Sequence, residues 1–182
     1  INPDMSIDVE GDVDLSRKGL TELPIEFNIV DGEFSCSFNR LESLKGSPKY
    51  VGESFLSVRN ELISLEYSPK KVVEGVYLAG NDIEDLKDIP DCYSIDLFGN
   101  NVRELKYLEK IDHISINANP VQELINLFGF LGKSNKENIA YFNELDIVID
   151  NGYTVILDRL NYFLLDLGIK EEIKSLEYYK TI

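Results

Sequence analysis

Hydrophobic and polar positions follow one eleven-residue pattern six times between residues 13 and 124. The pattern is apolar, any, apolar, any, any, Asn, any, aliphatic, any, any, Leu. Successive asparagines are 21, 21, 19 and 19 residues apart. So short a period predicts a solenoid in which each repeat contacts only its neighbours. The six copies are VDLSRKGLTEL (13–23), FSCSFNRLESL (34–44), FLSVRNELISL (55–65), VYLAGNDIEDL (76–86), IDLFGNNVREL (95–105) and ISINANPVQEL (114–124).

The pattern resembles the leucine-rich repeat, L-x-x-L-x-L-x-x-N-x-L. The segment CSFNRLESLKGSPKYVGESF (36–55) is similar to short repeats found in bacterial and bacteriophage proteins. The resemblance covers about 9–128 and implies an α/β solenoid, an arc with a parallel β-sheet on its concave side. Two positions depart from the pattern: Lys18 stands where the first asparagine is expected, and Ser57 where the third repeat needs a core residue.

Apolar residues at every second position at the start of each repeat predict six short parallel strands on the concave side. Each asparagine is expected to turn inward at the end of its strand and to bond backbone groups that the bend leaves unpaired. The predicted strands are 13–16, 34–37, 55–58, 76–79, 95–98 and 114–117. Their predicted inward residues are Val13 and Leu15, Phe34 and Cys36, Phe55 and Ser57, Val76 and Leu78, Ile95 and Leu97, and Ile114 and Ile116.

Each repeat also has a leading apolar residue before its strand. This residue lies four positions ahead in repeats 1–4 and three positions ahead in repeats 5 and 6. The connections between repeats contain proline and glycine, and they are too short and too broken for full helices, so we predict turns or extended segments there. The leading residues are Val9, Val30, Val51, Val72, Cys92 and Ile111.

The repeat pattern predicts a solenoid over residues 1–128 and a small α+β capping region over residues 129–182. An end repeat exposes core and strand edge, so a cap is expected. The predicted elements of the tail are an apolar helix from Pro120, a helix over 135–146 with a Ser134–Glu137 capping box, a hairpin around Asn151-Gly152, and a last helix ending near Gly168.

The chain carries a formal net charge of −15, and most of it lies in the repeats. Residues 1–128 contain 24 acidic and 12 basic side chains. Direct nucleic-acid binding needs a basic surface, so this composition disfavours it. Two hypotheses remain for the acidity: it keeps the protein soluble, or it steers the chain toward a basic partner or mimics nucleic acid.

The two cysteines, Cys36 and Cys92, both fall on apolar positions of the repeat and are predicted to be small buried residues. They do not suggest a disulfide framework. No apolar run of about 18 residues predicts a membrane span, and the first residues lack the pattern of a signal peptide. We therefore expect the protein in the cytoplasm, of a bacterial or a phage-infected host cell.

The residues that could carry catalysis or bind metal are few. His113 is the single histidine, and Ser115 and Asp96 fall near it on the predicted sheet, so a weak His–Ser–Asp grouping is one hypothesis. A surface histidine is the alternative that we favour. No zinc, EF-hand, P-loop or dinucleotide pattern is present, so no metal, no cofactor and no enzymatic activity is predicted.

The outward positions of the predicted strands provide the main indication of a binding surface. They form two columns, in which large apolar residues gather on strands two to five although such positions are normally polar. The first column is Asp14, Ser35, Leu56, Tyr77, Asp96 and Ser115, and the second is Ser16, Ser37, Val58, Ala79, Phe98 and Asn117. Phe38 and Arg59 lie in the edge column that follows.

Strands about 4.8 Å apart would bring these apolar side chains into one patch. The predicted protein-binding residues are Phe38, Leu56, Val58, Tyr77 and Phe98. The sequence thus favours a non-enzymatic protein-binding module, a bacterial or phage inhibitor or adaptor that docks on a host or bacterial protein through its concave face. The alternatives are an acidic nucleic-acid mimic that blocks a DNA- or RNA-binding protein and, less favoured, a small enzyme.

Overall fold

The computed structural model describes residues 1–128, 136–150 and 153–182. The helices in these ranges are α1 (Gln122–Phe128), α2 (Lys136–Glu144) and α3 (Leu157–Asp166), with a 3-10 turn at Leu108–Lys110. The strands, in chain order, are β1 (Ile7–Val9), β2 (Val13–Asp14), β3 (Phe27–Val30), β4 (Phe34–Ser35), β5 (Tyr50–Val51), β6 (Phe55–Leu56), β7 (Lys71–Val72), β8 (Gly75–Tyr77), β9 (Ser94–Asp96), β10 (His113–Ser115), β11 (Val148–Ile149), β12 (Thr154–Val155) and β13 (Lys180–Thr181).

The six predicted repeat strands form one parallel sheet in the order β10-β9-β8-β6-β4-β2, so their place and direction are confirmed. The strands are two or three residues long, shorter than predicted. Hydrogen bonding continues beyond them, because the Leu15 and Arg17 amides donate to the Ser35 and Ser37 carbonyls at 2.7 and 3.0 Å. In the first five repeats, backbone pairing therefore reaches the turn that follows the strand.

A left-handed residue makes that turn in every repeat. It stands directly before the asparagine position, and its φ lies between 53° and 69°. A left-handed residue cannot continue a strand, so extended backbone ends at this position in each repeat. The six residues are Arg17, Phe38, Arg59, Gly80, Gly99 and Ala118.

A second parallel sheet, in the order β1-β3-β5-β7, lies in the segments that precede repeats 1–4. The prediction of turns or extended segments missed its pairing, although the leading valines at 21-residue intervals gave a visible signal. Val30, Val51 and Val72 are fully buried. The sheet ends in the fifth repeat, where the leading residue moves one position closer to the strand, and an isolated Lys71–Asp91 bridge is its last pairing. The two sheets together make a β-solenoid.

The core begins between these two sheets and continues through the last repeats into the tail. The predicted inward residues are buried in repeats 2–5, and the end repeats keep Val13, Leu15 and Ile114 partly exposed. The Phe34 and Phe55 rings stack with centroids 5.7 Å apart. Ser57 is also fully buried, and its hydroxyl accepts a hydrogen bond from the Asn60 amide at 3.0 Å. That bond satisfies the polar group that departs from the repeat pattern.

Five buried asparagines join each repeat to the one before it. The Asn81 amide nitrogen donates to the Leu78 and Ser57 carbonyls, both at 2.9 Å, and its oxygen accepts from the Leu62 amide at 3.2 Å. Asn39 accepts instead from two amides of the first repeat, those of Lys18 and Leu20, each at 3.0 Å. The first repeat has no earlier repeat to bond, which explains how it tolerates Lys18.

Replacing Asn81 by alanine should lower the free energy of unfolding by about 1–3 kcal/mol, because buried backbone groups lose their partner. Chemical denaturation of both proteins measures the change. Asn101→Ala is the matched control, since Asn101 is partly exposed and makes a single side-chain bond of 3.5 Å to Asp82. An equal loss of stability in both variants would show that the buried asparagine contributes no more to stability than a partly exposed one.

The helices of the tail agree with the predicted pattern. The helix expected over 135–146 is α2, and the last helix, α3, buries Leu160, Phe163 and Leu164. Gly168 follows α3 with a φ of 80°, and its amide donates to the Leu165 carbonyl at 2.9 Å. The predicted end of this helix is therefore confirmed as a glycine cap.

A three-stranded sheet completes the tail. Strands β11 and β12 pair antiparallel, as the hairpin prediction requires, while its turn residues Asn151 and Gly152 lie outside the described residues. Ser134, predicted to cap α2, lies outside them too. Strand β13 was not predicted, and it pairs in parallel with β12. The last residues of the chain thus fold back into the same sheet.

The end of the chain is also bonded to the fifth repeat and to α1. The Glu123 carboxylate accepts from the Glu177 and Tyr178 amides at 2.6 and 3.0 Å. Arg103 donates to the Tyr178 carbonyl at 3.0 Å, and the buried Tyr179 hydroxyl donates to the Arg103 carbonyl at 2.7 Å. These contacts hold the tail against the last repeats.

Candidate protein-binding surface

Strand register places the first predicted column in one line across the six-stranded sheet. Each member of the column is the direct pairing partner of the next. The hydrogen bonds beyond the strands align the second column in the same way, since the Arg59 amide donates to the Ala79 carbonyl and the Gly80 amide to the Phe98 carbonyl. The structure therefore brings together the residues that the sequence grouped.

The predicted binding residues are exposed to different degrees. Tyr77, Phe98 and Phe38 are 39%, 52% and 42% exposed, whereas Leu56 and Val58 are half-buried. Leu56 pairs directly with Tyr77, and Ala79 lies between Val58 and Phe98 in the second column. We define the sheet-face patch as Leu56, Val58, Tyr77 and Phe98.

The Tyr77 ring lies back over its own strand. A β-carbon added at Gly75 would come within 2.9 Å of this ring, so glycine leaves the space that the ring occupies. Both flanking residues, Val76 and Leu78, are buried in the core. Tyr77 is therefore an outward aromatic that rests on a glycine rather than one that fills the core.

Phe38 lies at the edge of the patch, between two arginines. The Arg17 and Arg59 guanidinium carbons are 4.6 and 5.9 Å from the centroid of its ring. The Phe38 amide donates to the Val58 carbonyl at 2.7 Å, which joins it to the patch. Sequence reasoning placed Phe38 and Arg59 at this edge but missed the stacking, although residues 17, 38 and 59 follow at intervals of 21. We call these three residues the arginine–phenylalanine edge.

Acidic residues surround Glu33 near the opposite ends of the strands. Burial, with the charges of Asp12, Glu53, Asp14 and Glu74, raises the pKa of the Glu33 carboxyl above its ordinary value. The Glu33 carboxyl therefore holds its proton more tightly than an exposed carboxyl without acidic neighbours would. The face carries acidic groups at one margin and arginines at the other.

His113 does not assemble the His–Ser–Asp grouping. Its Nε2 atom lies 2.7 Å from the Tyr93 hydroxyl, and the two rings pack edge to face with centroids 4.7 Å apart. The Asp96 carboxylate accepts from the Phe98 amide at 3.0 Å instead. His113, Asp96 and Ser115 do line one cavity of about 380 Å³ at the end of the sheet, together with Tyr77 and Ile139.

Both cysteines are buried, as predicted, and both are free thiols. Burial raises the pKa of the Cys36 thiol to about 11 and that of Cys92 to about 12. Each thiol therefore stays protonated at neutral pH, in the form that is the poorer nucleophile and metal ligand. These positions fit the packing role that the repeat pattern assigns to them.

Across the described ranges, no group of three or more histidine, cysteine or acidic residues is arranged to hold a metal ion. None of the helices described is long and apolar enough to cross a membrane. Comparison with known proteins gives no match to a family model, to a curated protein or to a solved structure. Function must be argued from the surface of this chain itself.

Proposed function

We propose that this chain is a non-enzymatic protein-binding module of the leucine-rich repeat type, an arc whose concave side is the six-stranded sheet. In this proposal it is a bacterial or phage inhibitor or adaptor that acts in the cytoplasm. The sheet-face patch docks on a host or bacterial protein and blocks or recruits it. The tail serves as a cap.

One observation carries the proposal. Tyr77 and Phe98 keep 39% and 52% of their surface exposed at sheet positions that do not serve the core. Tyr77 pairs directly with Leu56, and Ala79 lies between Val58 and Phe98 in the second column, so apolar residues follow one another from the third repeat to the fifth. Contiguous apolar surface on a folded chain is typical of an interaction site, and buried aromatics carry much of the energy of protein interfaces.

Capture of partner protein from extracts of the cells in which this chain occurs tests the proposal. Tyr77→Asp should lose the captured protein, because a partner that buries an aromatic here loses roughly 2 kcal/mol or more of binding energy. Tyr50→Asp is the matched control, since Tyr50 is 38% exposed but lies in the second sheet. The comparison is made at equal concentrations of folded protein. Equal capture by both variants would contradict the proposal.

The acidic margin around Glu33 supports a second candidate function, an acidic mimic of nucleic acid. A mimic would bind a DNA- or RNA-binding protein mainly through charge, and its affinity would fall steeply between about 50 and 500 mM salt. Docking by the apolar patch should change little over that range. Titrating the captured partner at several salt concentrations separates the two functions.

A further inference from the structure

The arginine–phenylalanine edge places three bulky residues at a position whose left-handed backbone conformation favours glycine. Arg17, Phe38 and Arg59 each adopt a left-handed backbone, with φ values of 57°, 57° and 53°. Gly80 and Gly99 occupy the same position in the next two repeats. A side chain other than glycine is strained in this conformation. Three adjacent repeats thus display two arginines and a phenylalanine from this conformation, in which the sixth repeat has Ala118.

The geometry of this edge holds the two guanidinium groups in place. Arg17 comes from the first repeat and Arg59 from the third, and both lie over the ring of Phe38 in the repeat between them. The Arg59 side chain also rests on Gly80, where an added β-carbon would meet its Cγ at 3.3 Å. An arginine stacked on a ring keeps its N–H groups available for a planar oxyanion.

These cations have no internal counter-ion. In the described part of the chain, neither Arg17 nor Arg59 forms a salt bridge or a side-chain hydrogen bond, and both residues are exposed. Arg40 and Lys18 are exposed next to the same turns. The chain has a net charge of −15, so this group of cations is a local feature and not part of a general basic surface.

We propose that the arginine–phenylalanine edge recognises the carboxylates of an acidic peptide segment in the partner protein. Arg17 and Arg59 bind the carboxylates, and Phe38 positions the two guanidinium groups. An acidic peptide fits better than a nucleic-acid strand, because the acidic remainder of the face repels a long polyanion. The edge continues into the sheet-face patch through Val58, so this inference rests on the proposed function and adds the chemistry of the partner.

Two short probes test the inference by NMR of the arginine side-chain Nε–H groups. They are the tripeptides acetyl-Glu-Phe-Glu-amide and acetyl-Gln-Phe-Gln-amide, which differ only in their charges. We expect the first to shift the Arg17 and Arg59 signals to saturation and the second to give at least tenfold weaker binding. Equal binding of both, or no shift by either, would overturn the inference. So would saturable binding of a phosphoserine counterpart or a hexathymidylate strand without binding of the glutamate probe.

Phe38→Gly separates recognition from a structural role. Glycine removes the ring and relieves the left-handed strain, so we expect affinity for the glutamate probe to fall at least tenfold while the melting temperature changes by no more than about 3 °C. Lys45→Gln, which removes one exposed cation from the same repeat, should leave probe affinity unchanged. Retention of affinity in Phe38→Gly would overturn the positioning role of the ring.

The failure of this inference can be told apart from failure of the proposed function. If Phe38→Gly still captures the partner and Tyr77→Asp does not, the acidic-segment inference is wrong and the sheet-face patch remains the binding surface. If Tyr77→Asp captures the partner normally, the proposed function is wrong, whichever probe binds. The peptide titration is independent of that result, because it needs no partner protein.

Discussion

Leu78→Asp is expected to unfold the protein, whereas the same change at the adjacent Tyr77 should leave its melting temperature nearly unchanged. Leu78 is fully buried, and its carbonyl accepts bonds from Asn81 and Asn100 at 2.9 and 3.0 Å. An aspartate there removes a packed side chain and buries a carboxylate in the core. The combined loss is on the order of 5 kcal/mol, comparable with the whole stability of a typical domain.

Thermal unfolding followed by circular dichroism measures both variants. Tyr77 is the last residue of β8 and its side chain is 39% exposed, and surface changes usually alter stability by no more than about 0.5 kcal/mol. Leu78→Met is the volume-conserving control, and it should cost less than about 1.5 kcal/mol. A folded Leu78→Asp protein with a normal melting temperature would contradict the assignment of Leu78 to the core and of Tyr77 to the surface.

Truncation after residue 128 is expected to cause aggregation or a large loss of melting temperature. The tail contributes Ile139, Phe142, Leu160 and Phe163 to the buried core. Helix α2 packs on the 3-10 turn after the fifth repeat, and Asn143 donates to the Leu105 carbonyl at 3.3 Å. Removing the tail would expose apolar side chains of the last repeats, each worth about 1.5–3 kcal/mol when fully buried.

Light scattering and thermal unfolding of the truncated chain check this expectation. A truncated protein that stays monomeric and unfolds cooperatively at the original temperature would show that the tail is an independent module. A milder variant, Glu123→Gln, weakens the acceptor for the Glu177 and Tyr178 amides without removing any core residue. It should lower the melting temperature much less than truncation does.

The sequence predicted the six-stranded sheet well, because the residues that define its period have specific structural roles. An asparagine that bonds two repeats and an aliphatic that fills the core both recur in register. The strand ends were less predictable, since Arg17, Phe38 and Arg59 take a left-handed backbone that their residue types do not favour. The pattern also did not predict β13, whose residues pair with residues of β12 that are 26 positions earlier in the chain.

The candidate surface was predictable in part. Period-two alternation was enough to place Leu56 beside Tyr77, and the strand register confirms that pairing. It could not show that Phe38 lies between two guanidinium groups, because that arrangement depends on side-chain directions at a turn. Nor could it show that the His113 imidazole lies on Tyr93. Contacts of this kind depend on distances that a repeat pattern does not specify.

Site-specific photo-crosslinking tests the proposed binding surface most directly. A benzophenone amino acid placed at position 77 lies on the six-stranded face, and the same amino acid at position 50 lies on the second sheet at nearly equal exposure. Both proteins are irradiated in extracts of the cells in which the chain occurs. A discrete crosslinked protein from position 77, absent from position 50, is the predicted result. Crosslinking from position 50 alone, or equally from both positions, would contradict docking through the sheet-face patch.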